Sequence, residues 1–264
     1  MDFVVIIPAR HGSSRFPGKP LAEIRGKPMV VHVAERAANS GAAEVLIATD
    51  HAGIAATAER YGFKAVMTRS DHPSGTDRVA EVSKQRGYAG HRIVVNIQGD
   101  EPLIAPALIR EVAQNLHDHP EAQVSTACHP IRTAADILNP NVVKVVLDRQ
   151  GHALYFSRAP IPFARDAFTR PQDSPGNIYS GGITALPDDL PALRHIGIYG
   201  YRAGFLEHYA QLDPSPLERF EALEQLRVLW HGYKISVAIT RQTAPPGVDT
   251  PEDLQRLQQL FPDS

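Results

Sequence analysis

Strand-length apolar runs alternate with helix-length amphipathic stretches through the first half of this chain, and few folds absorb that rhythm. The runs lie at 3–7, 44–49, 65–67, 92–98 and 123–128, with helical periodicity near 28–40, 51–61, 76–86 and 106–117 between them. Pro28, Thr76 and Pro106 mark three of the helix starts, since proline and small hydroxyl residues suit a helix's first positions. Strands that are apolar throughout need cover on both faces, and helical crossovers supply it. The expected class is therefore α/β, built on a mostly parallel sheet flanked by helices.

From about 131 the rhythm changes. The segments 142–147 and 152–156 read as a hairpin about the turn 148–151, and 165–194, rich in Pro, Gly, Asp and Ser, reads as a long exposed loop. A strand resumes at 196–202, and 216–232 reads as one helix with Leu217, Phe220, Leu223, Leu226, Leu229 and Trp230 near one face, as core or dimer interface. A last strand at 234–239 precedes a helix opening on Thr250-Pro251-Glu252-Asp253, where capping residue, proline and acids suit the positive end of the dipole. Asp249 stands just outside that helix start. The expected organisation is an α/β domain of 1–130 plus 203–264, with a smaller α+β lobe at 131–202.

Charge excludes some partners. With 27 Lys and Arg against 29 Asp and Glu, no long-range field draws in a nucleic-acid backbone or an anionic membrane, so any phosphate chemistry must be local. The run 3–7 is too short to span a bilayer, has no basic segment before it and ends at Pro8; no membrane insertion is expected. Cys128, the single cysteine, has no partner for an intrachain disulfide and reads as a small buried hydrophobe in a cytoplasmic protein.

Three segments carry chemistry. The first runs from Ile7 to Pro20 and leaves the carboxyl end of the first strand, the edge where open parallel sheets bind ligands. It sets Arg10, Arg15 and Lys19 among Gly12, Ser13 and Gly18, cations beside backbone N–H groups that an anion approaches closely. A polyphosphate suits it. Lys19 is followed by Pro20 and no G-x-G-x-x-G occurs, which argues against a Walker A loop and a nicotinamide fingerprint. The second segment, Asn96-Ile97-Gln98-Gly99-Asp100-Glu101-Pro102, ends a buried strand at the same edge, where Asp100 could serve a hard divalent cation that a nucleotide also ligates. In the third, Gly247-Val248-Asp249-Thr250-Pro251, Asp249 would add a second carboxylate for a displacement at phosphorus.

These segments, with Ala48-Thr49-Asp50, His72-Pro73-Ser74-Gly75-Thr76-Asp77-Arg78, Leu154-Tyr155-Phe156-Ser157-Arg158-Ala159, the run His195 to Arg202 and Leu223-Glu224-Gln225-Leu226-Arg227, closely resemble the CMP-Kdo synthetases (3-deoxy-manno-octulosonate cytidylyltransferases) over almost the whole chain. The resemblance implies a Rossmann-like nucleotide domain, a lobe that helps form the sugar site and the subunit interface, and a homodimer. It implies CTP and Kdo as substrates and Mg2+ as cofactor. Arg10, Arg15 and Lys19 would hold the triphosphate, with Asp100 and Asp249 on magnesium. Ser74, Gly75, Arg78 and Gln98 would lie near the cytidine. Arg158, His195, Tyr199, Glu224 and Gln225 would face the sugar, although a lone histidine in an apolar run also serves as a hydrogen-bonded structural residue.

On this reading the anomeric hydroxyl of Kdo attacks the α-phosphorus of CTP with Lys19, Asp100 and Asp249 at the reacting centre. Two rivals stand beside it: a cytidylyltransferase for 8-amino-Kdo or a sialic-type acid sugar, and a non-catalytic nucleotide-binding protein on the same fold.

Overall fold

The computed structural model describes residues 1–12, 16–168, 185–242 and 247–260. The expected strands form β1 (Phe3–Ala9), β4 (Glu44–Thr49), β5 (Lys64–Met67), β6 (Ile93–Asn96) and β7 (Val124–Pro130), with a two-stranded ribbon, β2 (Glu23–Ile24) and β3 (Lys27–Pro28), set beside them. Between them run α1 (Met29–Ala38), α2 (Ala52–Arg60), α3 (Gly75–Arg86) and α4 (Pro106–Asp118). The cap of α3 is Ser74, whose side chain accepts from the Asp77 N–H; Thr76, read as the helix start, is instead buried in its first turn. A seryl oxygen one residue ahead of Gly75 answers an orphan donor that Thr76, already helical, cannot reach.

Further along come α5 (Ala134–Leu138), the antiparallel pair β8 (Lys144–Leu147) and β9 (Ala153–Ser157), then α6 (Arg165–Phe168) and β10 (Leu193–Arg202). Both α6 and the first residues of β10 fall inside the stretch read as loop, while 169–184 lies outside the described residues. The rest is α7 (Ala203–Tyr209), α8 (Pro216–Glu221), α9 (Gln225–Trp230), β11 (Ile235–Ile239) and α10 (Pro251–Gln258).

The main sheet runs β11-β7-β10-β6-β1-β4-β5, with β8 and β9 branching from β10. Strands β6, β1, β4 and β5 are mutually parallel, and β11 is parallel to β7. Only β10 among these seven runs against its neighbours, pairing antiparallel with β6 and β7. In β1, Phe3, Val5 and Ile7 pack on one face with α1, α2 and α4, while Val4 and Ile6 pack on the other with α3 and α7. That two-sided burial is why the strand carries no polar alternation, and each such side chain contributes about 1.5–3 kcal/mol on leaving water. Cys128 is fully buried, its thiol pushed up to about 12 by burial, as expected of an inert packing residue. Of the segment 131–202, β10 lies in the middle of the main sheet, while Ile131, Ile137, Val142, Phe168 and Ala192 form a small apolar cluster of their own.

The helix expected across 216–232 is broken. Ala222 takes a left-handed conformation (φ 51°, ψ 52°) after α8, and α9 starts afresh at Gln225. The apolar stripe breaks with it: Leu223 and Leu226 are buried, whereas Phe220 is 87% and Trp230 55% exposed. The cause is tertiary, because the Arg158 guanidinium takes the carbonyl oxygens of Glu221 and Ala222 that a continuous helix would keep for its own ladder.

Candidate active site

The carboxyl end of β1 opens on a polar cleft of about 310 Å3 lined by Arg10, Lys19, Ser74, Gly75, Gln98, Asp100 and Asp249, among others. Local backbone chemistry places each. Gly18 adopts φ 70°, which favours glycine, and donates its N–H to the His11 carbonyl at 3.2 Å. That closes the basic loop and starts the short 3-10 turn at Lys19. Arg15 lies outside the described residues. Gly75, at the amino end of α3, lets Pro8 approach; an added Cβ would stand 3.3 Å from its ring. The positive end of the α3 dipole therefore borders the cleft, as a helix start that receives anions does.

Gly99 is the tighter constraint. A Cβ there would stand 2.9 Å from the Pro8 carbonyl oxygen, so the turn carrying Gln98 and Asp100 touches β1 backbone to backbone. Gly99→Ala is expected to cost about 1–3 kcal/mol through forced displacement, read as a lower urea midpoint together with weaker turnover. An unchanged midpoint would show that the turn can move at no cost.

The Lys19 ammonium joins the two distant aspartates. It lies 2.5 Å from Asp100 Oδ2 and 3.5 Å from Asp249 Oδ1, and donates to the Val248 carbonyl at 2.9 Å. The Val248 N–H in turn donates to the Asp100 carbonyl at 2.9 Å, and Val248 is fully buried against Ile24, Met29 and Leu257. At the start of α10, Thr250 and Asp253 form a reciprocal cap, with Asp253 also accepting the Asp249 N–H. The cap thus uses the backbone of Asp249, and its carboxylate turns to Lys19. The two carboxylates on either side of the Lys19 ammonium are hard oxygen donors, the class that would suit magnesium beside phosphate and water oxygens. Among the described residues no group of three or more His, Cys, Asp or Glu side chains forms a closed metal cage. Beside Asp100, the Glu101 carboxyl is pushed up to about 8 by burial and by Asp100 itself.

Other expected residues are already engaged. Arg78, 3% exposed, lines the cleft and binds Asp50 at 2.9 Å and the Thr68 hydroxyl. Arg158 directs its guanidinium to carbonyl oxygens of Glu221, Ala222 and Pro140. Tyr199, Glu224 and Gln225 meet around a second cavity of about 250 Å3, which shares Thr76, Gln98 and Glu224 with the first. Thr76, Tyr201 and Tyr209 also line it; nothing in their sequence spacing marks them, since Thr76 on α3 is more than a hundred residues from the two tyrosines of β10 and α7. Glu224 opens to the cleft, yet burial of its carboxylate, followed by the charge of Asp77, raises its pKa.

His195 stands between Phe156 and Tyr199 on β10. The register of β10 shifts between Ile196 and Tyr199, opposite Thr126, whose hydroxyl lies 3.1 and 2.7 Å from the carbonyl oxygens of Ile196 and Ile198. The same hydroxyl meets His195 Nε2 at 2.9 Å. Burial holds the imidazole neutral, with the pKa down from 6.5 to about 3. The unfolded chain binds that proton from pH 6.5 downward, so stability is full above 6.5 and is lost as the pH falls towards 3. His195→Asn should flatten this acid-side slope, measured as urea midpoints at about pH 7 and about pH 4.5; an identical slope would place the effect elsewhere.

A sheet that gathers cationic loop, paired carboxylates and a glycine-edged cleft at the carboxyl ends of its strands has the architecture of a nucleotide-handling transferase. The model of the cytidylyltransferase family matches residues 4–235. A CMP:2-keto-3-deoxy-manno-octonic acid synthetase, solved in complex with CTP, is 42% identical, covers 98% of each chain and superposes with a TM-score of 0.85. A cytidylyltransferase from Leptospira borgpetersenii serovar Hardjo-bovis (strain JB197) shares the fold at 17% identity, TM-score 0.61, covering 100% of this chain and 89% of that one. The chain belongs to the CMP-Kdo synthetase family of cytidylyltransferases.

Proposed function

We propose that this enzyme transfers CMP from CTP to the anomeric hydroxyl of Kdo, activating the sugar for lipopolysaccharide synthesis. The hydroxyl oxygen bonds to the α-phosphorus as the bond from that phosphorus to the bridging oxygen of the β-phosphate breaks; pyrophosphate leaves and the hydroxyl proton passes to water. The single observation that supports the reading best is the lysine-bridged pair Asp100 and Asp249 in a cleft continuous with a second, tyrosine-lined cavity, in a chain 42% identical over nearly its full length to a synthetase solved with CTP.

Arg10 and Lys19 hold the β- and γ-phosphates and stabilise the charge that grows on them as the bond breaks. Gln98 and the Ser74-Gly75 turn face the cytidine, with Arg78 steadying that wall through Asp50 and Thr68. Tyr199, Glu224 and Gln225 orient the sugar, with His195 packed behind the Tyr199 ring. Asp100 and Asp249 would hold Mg2+, which supplies positive charge to the phosphate and hydroxyl oxygens when bound. The protein works as a homodimer in the cytoplasm; no described helix is long and apolar enough to cross a membrane.

Incubation with CTP and magnesium and, separately, Kdo, 8-amino-Kdo and a sialic-type acid, followed by pyrophosphate release, tests the assignment. Fastest release with Kdo supports it. Preference for another acid sugar moves the assignment within the family, and CTP binding without sugar-dependent release would leave a nucleotide-binding protein.

A further inference from the structure

We infer that Arg158 and Glu221 act as positioning residues for the acid-sugar cavity: they lock the corner between α8 and α9 that presents Glu224 and Gln225. The inference rests on the acid-sugar reading above. A non-glycine residue in the left-handed region costs of the order of 1–3 kcal/mol, and such conformations persist where the surroundings over-determine them. Ala222 is such a residue, with φ 51°.

Its surroundings come from the end of β9. Arg158 Nε donates to the Glu221 carbonyl at 2.7 Å, one terminal nitrogen to the Ala222 carbonyl at 3.4 Å and the other to the Pro140 carbonyl at 2.9 Å. The Glu221 carboxylate answers by accepting the Ser157 hydroxyl at 2.6 Å and the Arg158 N–H at 2.9 Å. Beneath them the fully buried Lys144 ammonium donates to the carbonyls of Arg158, Val142 and Asn139 at 2.6, 2.6 and 3.0 Å. Three of the five guanidinium N–H groups are thus directed at backbone oxygens of the corner and of Pro140. On the far side Arg227 grips Glu218 through two bonds of 2.9 and 2.6 Å and lies over the Tyr209 ring.

What the corner delivers is specific. Glu224 reaches the Thr76 hydroxyl at 3.4 Å, and Gln225, 6% exposed on the wall of the second cavity, has a buried amide nitrogen without a protein partner. An unpaired buried donor aimed at a cavity is costly until something accepts from it, and a hydroxyl- and carboxylate-bearing sugar is such an acceptor. The corner therefore sets affinity for the sugar and leaves CTP, held by β1 and α3, unaffected.

Glu221→Ala is expected to raise the KM for the acid sugar roughly tenfold while the KM for CTP stays within about twofold, and to speed amide hydrogen exchange across 222–226. Glu221→Gln, which keeps one carbonyl oxygen for the Arg158 N–H, should recover most of the sugar KM. If Glu221→Ala fails to fold, Ser157→Ala, which removes a single bond, is the reporter, with a roughly threefold rise expected. An unchanged sugar KM, or sugar and CTP constants rising together, overturns the inference. Exchange needs no substrate, so unaltered exchange in the variant overturns it even where the wild type fails to use Kdo, a result that would count against the activity alone.

Discussion

Asp100→Ala is expected to give a folded protein whose turnover is lower by roughly 100-fold or more, because one preorganised electrostatic partner at a reacting phosphate is commonly worth about 3 kcal/mol in the transition state. Folding should survive. The Asp100 side chain is 27% exposed and its backbone, which anchors Val248, is untouched by the change. The neighbouring Glu101 cannot substitute: burial and Asp100 push its pKa up to about 8, and removing Asp100 leaves the burial in place. Turnover measured at saturating CTP and magnesium, beside a melting curve, decides the matter. Near-normal turnover would remove Asp100 from the chemistry.

Lys19→Ala should be comparably severe, lowering turnover by roughly 100-fold, for two separable reasons. Its ammonium is the shared counter-charge for Asp100 and Asp249, at 2.5 and 3.5 Å, and it ties the Val248 carbonyl into the same knot. Without it, two carboxylates face each other in a partly desolvated cleft. It is also the cation proposed to stabilise departing pyrophosphate. Raising magnesium separates the two, since a divalent ion can replace a lost counter-charge between carboxylates but cannot reproduce a donor on the leaving phosphates. Turnover that stays low at high magnesium supports the phosphate role, and full recovery would reduce Lys19 to a spacer. Lys19→Arg is not expected to rescue, because a planar, longer fork does not fit a position where three oxygens converge on one nitrogen.

Much of the molecule was legible because periodicity reports burial directly. The apolar runs that became β1, β4, β6 and β7 could be covered only by helices on both faces, and the residues at strand ends had to lie along one sheet edge. Asp249 could be set outside the last helix because Thr250 and Asp253 satisfy the cap between them. Other features escaped for equally physical reasons. The stretch 216–232 has helical periodicity throughout, and nothing within it announces that an arginine some sixty residues earlier takes two of its carbonyls. Arg78 and Arg158 read as residues near the cytidine and the sugar, and a sequence shows such charges without the partners the structure gives them, Asp50 and Thr68 for the first and the carbonyls of Pro140, Glu221 and Ala222 for the second.

The sequence by itself determined the layer architecture, the sheet edge on which the loops open and the placing of Asp100 at a strand end and Asp249 just ahead of a helix, because these follow from local propensity and from which side chains must leave water. Only the tertiary structure decided that Lys19 stands between those aspartates, that burial keeps His195 neutral, and that Arg158 holds a helix corner. Each of these depends on groups far apart in the chain competing for the same hydrogen bond or charge, and such competition is settled by distance in space.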